Sequence, residues 1–230
     1  MNDARALLRV LPASVVPTER LLRACAALGV CVRRVRPADL SRTLHDDARR
    51  LLASLRPGEV VLVSGPSGSG KSTLLRAVAR AARDAGLRVC GQRPVERARC
   101  VIDLIPGSLG EAIACLVRAG LGDVGVLART PGELSEGERA RVALAAALAR
   151  VRPGAPGHLL LLDEFASTLD RASAARVGAG VRRWATRTGV RVVVATAHDD
   201  LRGPLAPDVR VRCARGRSGT TVHIERGGGA

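Results

Sequence analysis

Of the 37 lysine and arginine residues in this chain only one is lysine, Lys71, and it lies inside Gly65-Pro66-Ser67-Gly68-Ser69-Gly70-Lys71-Ser72. At that position the two cations are not equivalent. A loop that wraps a polyphosphate needs a compact ammonium on a flexible stem, and a planar guanidinium fork does not fit there. The octet matches G-x-x-x-x-G-K-[S/T] in full. Its flanks agree, because Val60-Val61-Leu62-Val63 reads as a short buried strand and Ser72 to Arg83 as a helix. Glycines let successive backbone N–H groups turn inward as an anion cradle, and the helix that follows adds the positive end of its dipole. Gly65, Gly68, Ser69, Gly70, Lys71, Ser72 and Thr73 are the expected phosphate contacts, with the Ser72 hydroxyl placed to hold Mg2+. The expectation is a nucleoside triphosphate bound with magnesium.

A second segment supplies the groups such a site needs for chemistry. His158-Leu159-Leu160-Leu161-Leu162 reads as a buried strand, and it ends in Asp163-Glu164. Asp163 suits the magnesium shell, and Glu164 suits polarising an attacking water. Ser167-Thr168-Leu169-Asp170 follows at once. Val192-Val193-Val194-Ala195-Thr196-Ala197 is another apolar strand, running into His198. A histidine at the carboxyl end of a parallel strand can reach a γ-phosphate and the attacking water. Upstream, Leu134-Ser135-Glu136-Gly137-Glu138 precedes a helix whose small apolar face is Ala140, Val142, Ala143, Leu144 and Ala147. Ser135 and Gly137 at that helix start form a second anion-binding geometry. Two anion sites suggest two chains sharing one nucleotide.

Strands and helices alternate from about residue 57, which predicts an α/β fold with a mainly parallel sheet flanked by helices. The aromatic residues are only Phe165 and Trp184, so leucine, valine and alanine must build the core. The net charge of +16 reads either as a polyanion partner or as arginine spread over solvated faces. The tail arginines Arg210, Arg212, Arg215 and Arg217 are the densest cluster, without interleaved aromatics that could stack on bases. The six cysteines show no C-x-x-C or Cys/His spacing, so no zinc is expected, and they read as small buried hydrophobes in a reducing compartment. No apolar run reaches a membrane span, and Arg5, Arg9 and Pro12 break the amino terminus as a signal peptide. A cytoplasmic protein is the expectation. Residues 1–40 read as an extension of unknown role, with a helix from Thr18 to Gly29 and a strand over 30–35. Residues 41–226 read as the nucleotide domain, opening on a helix or an extended lead-in from Ser41 to Leu55. Gly216 to Gly219 reads as loop, and 227–230 as a frayed tail.

Taken in order over about residues 57–199, these five motifs resemble the ATP-binding cassette (ABC) ATPases, a class of P-loop NTPase. Gly65–Ser72 looks like the family's Walker A, Leu134–Glu138 like its signature, Leu159–Glu164 like its Walker B, Ser167–Asp170 like its D-loop and His198 like its switch histidine. The resemblance implies a head-to-tail dimer, with itself or with a related subunit, enclosing two ATP molecules. Each would be held by Lys71 and Ser72 of one subunit and by Ser135 and Gly137 of the other. Glu164 would be the general base, His198 the γ-phosphate sensor and Asp170 the link between subunits. The chain departs from the family in four places. Glu136 and Glu138 stand where many members have glycine and glutamine. The glutamine that members carry after a strand, close to magnesium, is matched here by either Asp103, in an expected strand Val101–Leu104, or Gln92, the only glutamine; Asp103 is the preferred reading. The stretch between Thr73 and Leu134 has room for about one subdomain helix, Leu109 to Ala119, which implies a reduced surface for a transporter's membrane subunit. No aromatic residue precedes the phosphate loop to stack on a base, so GTP use stays open. A soluble ATPase switch is the first reading, a transporter's nucleotide-binding subunit the second, and a nucleic-acid-associated ATPase the third.

Overall fold

Strands without a polar face must be covered on both sides, and that requirement sets the layers. The computed structural model describes residues 7–11, 18–34, 37–151, 157–216 and 219–227. The chain opens with β1 (Leu7–Leu11), α1 (Glu19–Ala27), β2 (Val30–Arg34) and α2 (Pro37–Ser54). Then come β3 (Val60–Ser64), α3 (Lys71–Asp84), β4 (Arg88–Gly91), α4 (Leu109–Arg118), the short α5 (Val124–Leu127) and α6 (Glu136–Ala149). It closes with β5 (His158–Leu162), α7 (Arg171–Thr188), β6 (Arg191–Ala195), the single-turn α8 (Arg202–Leu205), β7 (Val209–Gly216) and β8 (Gly219–Arg226).

Six strands form one sheet in the order β4-β5-β6-β3-β7-β8, with every neighbouring pair parallel except the β7–β8 hairpin. Successive side chains on a strand point to opposite faces, and the central strands use both. Val60, Leu62, Leu160, Leu162, Val192 and Val194 enter one core, which α4, α6, α7 and α8 cover. Val61, Val63, Leu159, Val193 and Ala195 enter the other, under α2 and α3. Each fully buried valine or leucine contributes about 2 kcal/mol. On α2 the buried residues Leu44, Ala48 and Leu51 recur at helical spacing, with Leu55 just beyond, which is why that helix lies flat against α3. Asp208 locks the entrance to the central strand. Its carboxylate accepts from the Val60 backbone N–H at 2.8 Å and from the Arg182 guanidinium of α7. Burial pushes that carboxyl up, but Arg182 and the Val60 amide outweigh it and hold the carboxyl below its ordinary range.

The parallel sheet with flanking helices is as expected, and among the described amino-terminal residues one strand, β1, joins the expected helix and strand. β1 and β2 pair in parallel through α1, and the Thr18 hydroxyl caps that helix by accepting from the Leu21 N–H. Residue 35, expected in the strand, lies outside the described residues. The helix expected from Ser41 begins at Pro37, a residue suited to a first helical position. Three expectations are corrected. Val101–Leu104 is a 3-10 turn, not a strand. Gly216 and Gly219, expected in a loop, form the last rung of the β7–β8 hairpin, and 217–218 lie outside the described residues. Gly227 is tied down by donating to the Asp208 carbonyl at 2.8 Å, whereas 228–230 lie outside the described residues. No helix among the described residues is long and apolar enough to cross a membrane.

Candidate active site

Strand register decides which residues meet at the sheet's carboxyl edge. Val63 lies opposite Ala195, Leu162 opposite Val194, and Gly91 opposite Leu161. The chain therefore leaves β3 at Gly65, β4 at Gln92, β5 at Asp163 and β6 at Thr196 along one rim. Glu164 and His198 follow within two residues of those exits. His198 is exposed; its backbone N–H donates to the buried Thr196 hydroxyl, and Thr196 itself donates to the Val63 carbonyl.

The phosphate loop is closed by contacts that exclude side chains. Gly65 and Gly70 have φ of +146° and +98°. A Cβ on Gly65 would strike the Cys213 carbonyl of β7, and one on Gly70 would strike Thr220 of β8. The Lys71 ammonium donates to the Gly65 carbonyl at 2.7 Å and to the Pro66 carbonyl at 2.9 Å, which curls the loop around it. Ser69 Oγ is buried without a hydrogen-bond partner among the described residues, as expected of a group reserved for a ligand. The residues present thus fit a bound triphosphate. Ser72 and Asp163 are hard oxygen donors, and two such ligands suit Mg2+, which keeps several of its waters. Thr73 is exposed on the first turn of α3. Two neighbours escaped the sequence reading, Thr220 against Gly70 and Arg215 beside Gly68; both come from the distant hairpin. Burial pushes the Cys213 thiol up to about 11, with Lys71 pulling weakly the other way, so that cysteine acts as a hydrophobe.

Beyond β5 the backbone turns sharply. Phe165 is buried and donates its N–H to the Ala195 carbonyl at 2.9 Å, anchoring the turn on β6. Glu164 and Ala166 on either side have φ of +47° and +61°, a left-handed conformation that side chains resist. The turn leaves the carboxylates of Asp163 and Glu164 exposed at the rim, and Asp163 Oδ1 accepts from the Glu164 N–H at 3.0 Å.

Asp170 caps α7, accepting from the Ser173 N–H at 2.9 Å, and the Ser173 hydroxyl, together with that backbone bond, holds its carboxyl below the usual range. The start of α6 packs against this segment within the same chain. A Cβ on Gly137 would lie 3.1 Å from the Thr168 carbonyl, so glycine is needed for the close approach. Ser135 is the N-cap of α6 and forms a reciprocal box with Glu138, each accepting from the other's backbone N–H. Glu138 has a local structural reason, and its hydrogen bonds to Ser135 keep its carboxyl below the ordinary range. Glu136 is exposed.

Asp103 is not on the rim. It is exposed on the 3-10 turn that packs with α4 and α5. Gln92 is the residue at the rim instead, because it immediately follows β4, whose last residue Gly91 lies opposite Leu161, two residues before Asp163. The sequence keeps both residues open and prefers Asp103, because Gln92 lies about a strand too early in the chain; strand pairing brings Gln92 to the rim. Gln92→Ala is expected to lower magnesium-dependent turnover about 10- to 100-fold, and Asp103→Ala to leave it within about two-fold. A steady-state assay of both variants decides this, and the reverse ranking would restore Asp103.

Comparison with known proteins bears on this geometry. A family model described as an AAA ATPase domain matches residues 42–195. The aliphatic sulfonates import ATP-binding protein SsuB 2 of Nocardia farcinica is 36% identical over 209 residues, covering 83% of this chain and 84% of that protein. The lipoprotein-releasing system ATP-binding protein LolD of Maricaulis maris is 36% identical over 187 residues, covering 65% and 79%. Among solved structures, a dimeric ATP-binding cassette in a post-hydrolysis state with ADP and Pi superposes with a TM-score of 0.60 at 19% identity, covering 75% of this chain and 87% of that one. That likeness bears on the fold.

Proposed function

Because the chain belongs to the ATP-binding cassette (ABC) family of ATPases, we propose that it works as an ATP-driven switch that closes head to tail on a second cassette. It binds and hydrolyses ATP. The observation that carries the dimer is the division of its anion-binding groups. Lys71, Ser69 and Ser72 belong to the phosphate loop on the sheet rim, whereas Ser135 and Gly137 stand at the start of α6, where Gly137 packs beside Thr168. A second cassette brings its Ser135 and Gly137 over the first one's loop, and Asp170 lies at the seam. Bound ATP with Mg2+ supplies the phosphoryl group and a metal that neutralises charge on it. The chain's own residues do the rest. Backbone N–H groups and Lys71 hold the phosphates, Ser72, Asp163 and Gln92 hold the metal, Glu164 orients water and takes its proton, and His198 donates to the terminal phosphate. Residues 41–226 are the working unit, acting in the cytoplasm.

A second reading, a transporter's ATP-binding subunit, has its own support. The relatives named above are ATP-binding proteins of import and release systems. Leu109, Ile113 and Val117 are exposed at helical spacing on α4, with Val124 on α5 just beyond. Such an apolar stripe suits a partner subunit. The test of the dimer is light scattering of purified Glu164→Gln with and without Mg-ATP. A doubling of mass with nucleotide is expected; a monomer that still binds ATP would overturn homodimer closure.

A further inference from the structure

Away from the rim, a cavity of about 950 Å3 opens beside the edge strand β4, between α4 and the carboxyl ends of α6 and α7. Its size is that of a small-molecule site. Arg88, Arg93, Arg118, Arg150 and Arg187 line it, and none forms an ion pair among the described residues. The single carboxylate on the wall, Glu111, is committed to capping α4, where it accepts from the Ser108 N–H and hydroxyl at 2.8 and 2.7 Å.

An ordinary structural role explains part of this charge. Arg118, Arg150 and Arg187 sit at the carboxyl ends of α4, α6 and α7, where cations offset the helix dipoles. Three helix ends carry together about −1.5 charges. With Glu111 counted as well, about two and a half positive charges remain without a counter-charge. Nor do the helix ends account for Arg150, whose Nη1 is buried without an acceptor among the described residues. A buried guanidinium N–H without a partner is costly unless something else accepts from it. The positive field continues into an adjoining cavity of about 440 Å3, which shares Arg118 and Arg187 and has no acidic residue on its wall among the described residues.

We propose that the β4 cavity is a second anion site, separate from the phosphate loop, that takes a compact ligand bearing several phosphate groups. Guanidinium forks match phosphate oxygens two at a time, and five of them on concave walls suit a small polyanion better than a single phosphate. Trp184 lines the cavity but is buried, so it offers no open face for stacking on a base, and recognition rests on phosphates. Gly91 and Arg93, on either side of Gln92, both line the cavity, so an occupant touches the strand end that enters the ATP site.

The test is calorimetric titration of inorganic triphosphate at low salt into the full chain carrying Lys71→Ala, which disables the phosphate loop. One-to-one binding is expected, weakened at least about ten-fold when Arg118→Gln and Arg187→Gln are added. If Lys71→Ala does not fold, the same titration is run on the wild-type chain, where two triphosphates are expected to bind and Arg118→Gln with Arg187→Gln removes one of them. Absence of binding, or equal binding by the arginine variant, overturns the proposal. So does a short DNA duplex that binds more tightly than triphosphate and is not displaced by it, since that assigns the charge to nucleic acid.

Discussion

Glu164→Gln is expected to lower kcat for ATP hydrolysis by about 100- to 10,000-fold while ATP affinity stays near that of the wild type. The argument is geometric before it is chemical. Glu164 lies one residue beyond a fully apolar strand, in a left-handed conformation held by the buried Phe165 and its bond to Ala195. A backbone so constrained fixes where the side chain leaves the chain, at the rim shared with the phosphate loop and His198. Glutamine has nearly the same shape and fills the same turn, so the fold and the nucleotide contacts survive. What disappears is the group that accepts a proton from water. Phosphate release under saturating Mg-ATP measures kcat, and equilibrium binding of a fluorescent ATP analogue measures affinity. Turnover within a few-fold of wild type would remove Glu164 from the base role.

Lys71→Ala is expected to abolish measurable turnover by acting on binding and on the transition state together, a loss of about 100-fold or more. Its ammonium already organises the loop through the Gly65 and Pro66 carbonyls, and a methyl group can neither hold those carbonyls nor meet a phosphate. The sharper control is Lys71→Arg, which keeps the charge. The loop is closed on one side by Cys213 and Thr220, so the wider guanidinium has no room to curl back over the same carbonyls. The arginine substitution is expected to fail nearly as completely as the alanine one. Wild-type hydrolysis by either variant would sink the assignment of the loop.

The chain by itself determined the chemistry near each motif, because that chemistry depends on residues close together in sequence. The cradle needs glycines and one lysine within eight positions. The carboxylates need a buried strand to end at Asp163, and the α6 cap needs Ser135 three residues before Glu138. Those features were legible, as was the parallel sheet, whose strands carry apolar residues on both faces. Tertiary structure alone decided what depends on pairing across long separations. The register of β4 against β5 brings Gln92 to the rim and leaves Asp103 beside α4. The β7–β8 hairpin sets Thr220 and Arg215 against glycines some 150 positions earlier in the chain. Likewise, arginines that look evenly scattered in the sequence converge on one cavity because three helices end together there. The physical reason is the same in each case. A local motif is stabilised by its own backbone, whereas strand order and helix convergence follow from how the whole chain buries its apolar faces, which no short stretch of residues encodes.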